Sequence, residues 1–185
     1  MFVLGIDPGL SRCGYGLVGR RETDGVLWAR AAGVLETDPA APVAERLLVL
    51  HRELAALLKE LDPDVVVVER VFFQVNAKTA MAVGQASGLA LLAAAASGCE
   101  VTQYTANEVK LGLVGYGAAT KEQVQRMVAQ VLGLGTIGGP PDVADALALA
   151  ICHLTTVSVR RAVDAALGED ASRGTEVPAV ERSRS

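Results

Sequence analysis

Phe2-Val3-Leu4-Gly5-Ile6-Asp7-Pro8-Gly9-Leu10-Ser11 is the stretch from which the fold can be read. Its apolar side chains require a buried strand, that strand ends in an aspartate, and the Pro-Gly pair turns the chain sharply away. Asp7 is thereby placed where a core strand emerges into solvent. A carboxylate there costs stability unless something compensates its charge. What meets Asp7 is the question the rest of the sequence has to answer.

Working outward, Gly14-Tyr15-Gly16-Leu17-Val18-Gly19 reads as a second strand antiparallel to the first. Residues 26–36 read as a third, with Thr23-Asp24-Gly25 as the turn between them. After a loop at 38–42, the stripe Val43, Leu47, Leu50, Leu54, Leu57, Leu58 and Leu61 predicts an amphipathic helix, ended by Asp62-Pro63-Asp64. Val65-Val66-Val67-Val68 suits a strand covered on both faces, and it too runs into an acid, Glu69. An alanine-rich helix over 78–97 and a short strand at 100–104 follow. Capping boxes at Thr105/Glu108 and Thr120/Gln123 then open two helices, separated by a glycine-rich loop at 112–119. The last helix starts near Asp142, with Pro141 in its first turn, and continues to about Leu167. This order predicts an α/β fold, a five-stranded mixed sheet flanked by helices with the later strands parallel to the first. It forms one domain over residues 1–167, followed by a polar tail, 168–185, expected to be disordered.

At 185 residues, 51% hydrophobic and 21% charged, the chain has the composition of a globular domain. Cys13, Cys99 and Cys152 are odd in number and far apart, so they imply buried thiols rather than a disulfide framework or a zinc site. The N-terminus has no basic segment before its apolar run, and the apolar run at 89–96 is too short to span a bilayer. A soluble, cytoplasmic protein is the expectation. The net charge of −4 argues against a polyanionic partner until Asp7, Glu69, Asp142 and Asp145 are set aside, which leaves a formal charge of zero.

Those four acids carry the chemistry. Asp7 ends the first strand and Glu69 the fourth, which would lie side by side if the two strands are parallel neighbours. Asp142 and Asp145, three apart in a helical turn, share a face. Oxygen-only ligands suit Mg²⁺ or Mn²⁺ rather than zinc. Four converging carboxylates with no basic partner would repel one another. Two cations about 3.5–4 Å apart would relieve that and clamp the attacking and leaving oxygens of a phosphodiester. Each acid alone is explained more simply, as a turn cap or a favourable charge at a helix N-terminus; the metal reading rests on all four.

Gly5-Ile6-Asp7-Pro8-Gly9-Leu10-Ser11-Arg12-Cys13-Gly14, Val68-Glu69-Arg70-Val71-Phe72, Gly84-Gln85-Ala86-x-Gly88, Glu108-Val109-Lys110 and Asp142-x-x-Asp145-Ala146-Leu147-Ala148 together resemble the RuvC family of Holliday-junction resolvases. The resemblance covers Met1 to about Leu154 with the motifs in the right order. It implies an RNase H-like fold and a homodimer that binds a four-way DNA junction. It also implies symmetric, metal-dependent incision of two strands of like polarity, with a metal-activated water as nucleophile. By motif match, Asp7, Glu69, Asp142 and Asp145 are the catalytic acids and the ligands of two Mg²⁺ ions, with Mn²⁺ able to substitute. Asp7, at the centre, is the expected bridge. A RuvAB branch-migration complex is the implied partner.

Lys110 and Lys121 read as first-turn lysines on consecutive helices, suited to phosphate contacts, and the family match puts Lys110 near the scissile phosphate. Lys78 and Arg126 would extend that surface. Phe72 and Phe73 are adjacent, so one can enter the core while the other stacks on an unpaired base; the motif match favours Phe72 for the DNA side. Gly84 and Gly88, with Ala80 and Ala90, permit another helix to approach, and the resemblance assigns this region to the dimer. His51 and His153 read as structural, and Arg12 as either solvated or in contact with DNA.

Competing readings are an RNase H-like nuclease with another nucleic-acid substrate, a non-catalytic scaffold for branched DNA, and a nucleotide-binding domain of the actin and sugar-kinase group. The last needs a much longer chain, and a silent scaffold has no use for four crowded acids.

Overall fold

The computed structural model describes residues 1–70 and 77–173, without the side chains of residues 77–79, 160–162 and 164–173. Five strands, β1 (Phe2–Asp7), β2 (Arg12–Arg20), β3 (Leu27–Glu36), β4 (Val65–Glu69) and β5 (Glu100–Tyr104), form one sheet in the order β3-β2-β1-β4-β5. β1, β4 and β5 are mutually parallel and β2 and β3 run antiparallel to their neighbours, so the mixed sheet expected from the sequence is present. The helices are α1 (Val43–Leu61), α2 (Ala77–Ala96), α3 (Ala106–Val114), α4 (Lys121–Val131) and α5 (Pro141–Arg173).

Alternation along the central strands divides the core in two. Leu4 and Ile6 of β1, with Val66 and Val68 of β4, pack on Leu50, Leu54 and Leu58 of α1 and Ala86 and Ala90 of α2. Val3 of β1, with Val65 and Val67 of β4, faces the opposite way, onto Leu147, Ala148 and Ile151 of α5 and the buried residues of α3 and α4. Both faces of the sheet are thus covered by helices, as its parallel centre requires.

On the α5 side the sheet surface is stripped bare by glycine. Gly5 and Gly16 are cross-strand partners, and Gly14 lies one repeat further on. A Cβ on Gly5 would overlap the Ala146 carbonyl oxygen, one on Gly14 the Asp142 carbonyl oxygen, and one on Gly16 would stand 2.7 Å from Leu147 Cδ2. The first turns of α5 therefore rest directly on the β1–β2 backbone. Residues Pro141–Val159 are long and apolar enough to cross a membrane by composition (mean hydropathy 1.4), yet 61% of that window is buried inside the domain. Their apolar surface is used as the central core helix.

The turn between β1 and β2 is fastened from the other layer. Arg46 of α1 donates from Nε to Thr37 Oγ1 (3.0 Å) and from Nη2 to Ser11 Oγ (2.7 Å). Thr37, nearly buried, donates in turn to the Leu10 carbonyl at 2.5 Å, and its amide to the Ser11 carbonyl at 3.2 Å.

Four local expectations are corrected. Val43 is 49% exposed, because the buried stripe of α1 begins only as the helix comes over the sheet. Gly112 lies inside α3 rather than in a loop, where a Cβ would meet Cys152 Sγ at 2.9 Å; the glycine lets α3 approach α5. Cys99 is half-buried rather than buried, next to the edge strand β5, while Cys13 and Cys152 are buried thiols. Helix α5 runs to Arg173, past Leu167, since a formed helix can continue across Gly168 at a cost of about 1 kcal/mol. The remainder of the expected tail lies outside the described residues.

Candidate active site

Two of the four acids are presented by the sheet. The parallel register Ile6↔Val68 carries Asp7 and Glu69 to the same edge, side by side at the C-terminal ends of adjacent strands. Pro8 ends β1 there, since it offers no N–H to a ladder. The other two acids come from α5, which the glycine seat holds against the same end of the sheet, so Asp142 and Asp145 descend over Asp7 from above.

The four acids lie close enough to act on one another's charge. Burial pushes the Asp7 carboxyl up to about 8, and the charges of Glu69, Asp145 and Asp142 push in the same direction. Burial raises Glu69 as well, and a hydrogen bond from Asp7 partly offsets this. Near neutral pH the strand pair holds a proton between its two carboxyls. Burial drives the nearby Cys13 thiol up to about 12, so it stays protonated beside this charge.

The helix pair is arranged differently. Lys121 Nζ donates to Asp145 Oδ2 at 2.5 Å, and Arg12 Nε lies 3.5 Å from Asp142 Oδ2. Neither partner was assigned to an acid from the sequence, which places residues 24 and 130 positions apart without any signal of contact. Lys121 is the first residue of α4, behind a complete capping box in which Thr120 Oγ1 accepts from the Gln123 amide and Gln123 Oε1 from the Thr120 amide. Although burial lowers it, the bond to Asp145 and the charges of Asp7 and Asp142 hold the Lys121 ammonium above its ordinary value.

Lys110 enters the same region from α3. It is the fifth residue of that helix, so it stands in the second turn rather than the first, and the helix's open N–H groups lie behind it. Lys110, Lys121, Glu69 and Asp145 line a cavity of about 210 Å³ whose apolar floor includes Val109 and Ala148. Arg126 is exposed on α4, and Lys78 falls in the first turn of α2. Phe72, Phe73 and the side chain of Lys78 lie outside what the structure describes. His153 is buried with Nδ1 3.2 Å from Tyr104 Oη, in keeping with a structural role.

The donor set fits hard divalent cations. It is entirely carboxylate, it carries more negative charge than its burial tolerates, and Asp142 Oδ2 is buried without a hydrogen-bond partner, the Arg12 approach being an ion pair without hydrogen-bond geometry. Among the described residues no three acidic, His or Cys side chains already stand as a cage. The reason is visible: Asp142 and Asp145 are drawn toward Arg12 and Lys121.

A family model described as "Crossover junction endodeoxyribonuclease RuvC" matches residues 3–153. The chain is 49% identical over 154 residues to a crossover junction endodeoxyribonuclease RuvC of Syntrophomonas wolfei, covering 83% of this chain and 88% of that relative. It is 44% identical over 160 residues to the corresponding protein of Natranaerobius thermophilus, covering 86% of this chain and 98% of that one. Among solved structures, Thermus thermophilus RuvC in complex with Holliday junction substrate superposes with a TM-score of 0.77 at 33% identity, covering 86% of this chain and 96% of that chain.

Proposed function

The chain belongs to the RuvC family of crossover junction endodeoxyribonucleases, and from that footing we propose that it resolves four-way DNA junctions by two symmetric phosphodiester cuts during recombination and repair. One observation supports this most directly: two strand ends and one helix bring Asp7, Glu69, Asp142 and Asp145 into a single buried charge cluster beside two lysines. Such a cluster is unfavourable in isolation, and its all-oxygen donor set suits hard divalent cations.

Asp7, Glu69, Asp142 and Asp145 would hold two Mg²⁺ ions, for which Mn²⁺ can substitute. When bound, such ions supply an activated water and neutralise the leaving oxygen. Asp7 would hold such ions in its ionised form. Lys110 and Lys121 orient the phosphodiester over the cavity by charge, and the apolar floor at Val109 and Ala148 keeps bulk water away from the reacting phosphate. Phe72, Phe73 and Lys78 are assigned to DNA contact on the motif match alone.

A homodimer supplies the two matched cuts. The outer face of α2 supports that arrangement, with Met81 64% and Leu92 58% exposed and, among the described residues, nothing within 4 Å of a Cβ placed on Gly84 or Gly88. A cytoplasmic location and a RuvAB branch-migration partner complete the reading.

Incubation of a labelled synthetic four-way junction with the protein and Mg²⁺ or Mn²⁺ tests it. Paired nicks that vanish with chelator and in Asp7→Asn are expected. Cleavage of linear duplex as fast as of the junction, or indifference to chelator, would sink the proposal.

A further inference from the structure

We infer that Arg12 is a latch on Asp142: it holds the fourth acid while no cation is bound and leaves it for a DNA phosphate when the site assembles. This rests on the metal-dependent reading above.

Three observations carry it. Arg12 is the first residue of β2, and its side chain is 50% exposed while that of Asp142 is 21% exposed, so the guanidinium bridges solvent and site. Its approach is loose: Nε stands 3.5 Å from Asp142 Oδ2, and that oxygen, although buried, has no hydrogen bond. A permanent structural pair would be expected to adopt the tight, forked arrangement available to Arg and carboxylate. The backbone beneath Arg12, by contrast, is rigid. Arg46 and Thr37 fasten Leu10 and Ser11 immediately before it, and Asp142 is seated over Gly14, two residues after it. A long, half-exposed side chain on a fixed base can change partner without moving the site.

The consequence is coupling. A cation must displace Arg12 to claim Asp142, and a backbone phosphate that takes Arg12 removes the competitor. DNA and metal then favour each other by the same factor in each direction. Arg12 is a positioning residue in this scheme.

Mn²⁺ titration of the DNA-free protein, read by electron paramagnetic resonance at fixed ionic strength, tests the latch. Arg12→Ala is expected to bind Mn²⁺ about two- to fivefold more tightly than wild type, the scale of a partly exposed ion pair. Arg12→Lys should restore the wild-type value, and Arg52→Ala, on exposed α1 surface, should leave it alone. In an Asp142→Asn background, adding Arg12→Ala should change nothing further. Unchanged or weaker Mn²⁺ binding in Arg12→Ala, or an equal gain in Arg52→Ala, would overturn the latch. If wild type itself binds no Mn²⁺, the metal reading fails instead. Junction binding in chelator tests the transfer: the dependence of log affinity on log salt should be shallower by about one unit in Arg12→Ala, and a wild-type slope would overturn it.

Discussion

The acids of the strands and the acids of the helix meet at one point but live under different rules. Asp7 and Glu69 end parallel strands, are deeply set, and face each other, so their charge is relieved chiefly by keeping a proton, with Lys121 adding a lesser attraction. Asp142 and Asp145 ride on the first turns of α5 and each has a cation within reach. The strand pair is a fixed, overcharged base, and the helix pair is a set of exchangeable arms. A site built this way can hold its geometry through the fold while its charge is rearranged by what binds.

The sharpest break in that comparison is Asp7→Asn. Nuclease activity should fall on the order of a thousandfold, as expected when the central ligand is lost. The same substitution should raise the melting temperature of the chelated protein at neutral pH, because the folded state no longer has to keep a buried carboxyl protonated against its ordinary value. Asp145→Asn should abolish activity too, but without a comparable gain in stability, since Lys121 already compensates it. Similar stabilisation by both would erase the distinction.

Gly5→Ala attacks the seat that brings the two pairs together. Its Cβ meets the α5 backbone, so the helix must lift, and a cost of about 1–3 kcal/mol or more is expected in denaturant unfolding. Loss of activity should exceed what unfolding explains, because Asp142 and Asp145 move together with the helix.

The pH dependence follows from the strand pair. Asp7 holds its proton to about 8 in the folded state against an ordinary value of 3.8. Over that window the folded state binds more protons than the unfolded one, so stability falls as pH rises. The contribution is complete below the unfolded value and gone above the folded one, and Glu69 acts in the same sense. Melting temperatures in chelator should therefore decline between about pH 4 and pH 8, and Mg²⁺ should flatten the slope by favouring the ionised form. A flat profile in chelator would contradict the buried pair. The smallest expected effect belongs to the lysines in binding: Lys110→Ala and Lys121→Ala should each reduce the salt slope of junction binding by about one unit.

Much of this was legible in the sequence because the relevant signals are local. The Val65–Val68 run, the capping boxes at Thr105 and Thr120, and the acids closing two apolar strands each announce themselves within a few residues. Together they gave the sheet, its parallel centre and the four acids. Contacts between distant segments were not legible. Nothing in Gly5, Gly14 and Gly16 says which helix will lie on them, and nothing links Arg12 to Asp142 or Lys121 to Asp145 until the chain is folded. The expectation of acids without basic partners failed for that reason. Gly112 and Lys110 were misplaced by single-residue cues, a glycine taken as a loop marker and a capping box taken to extend one turn too far.

The turn after Asp7 is gripped from both layers, by Arg46 and Thr37 on one side and by α5 on its glycine seat on the other. No local opening can free it without parting one of the two cores. Amide hydrogens of the paired strand residues on either side of it, Ile6 and Asp7 in β1 and Gly14 to Gly16 in β2, should then exchange with solvent only when the whole domain unfolds, at the global free energy and in step with the core strands. The most reactive point of the molecule is by this measure also its slowest clock, with motion left to the side chains that reach in from the rim.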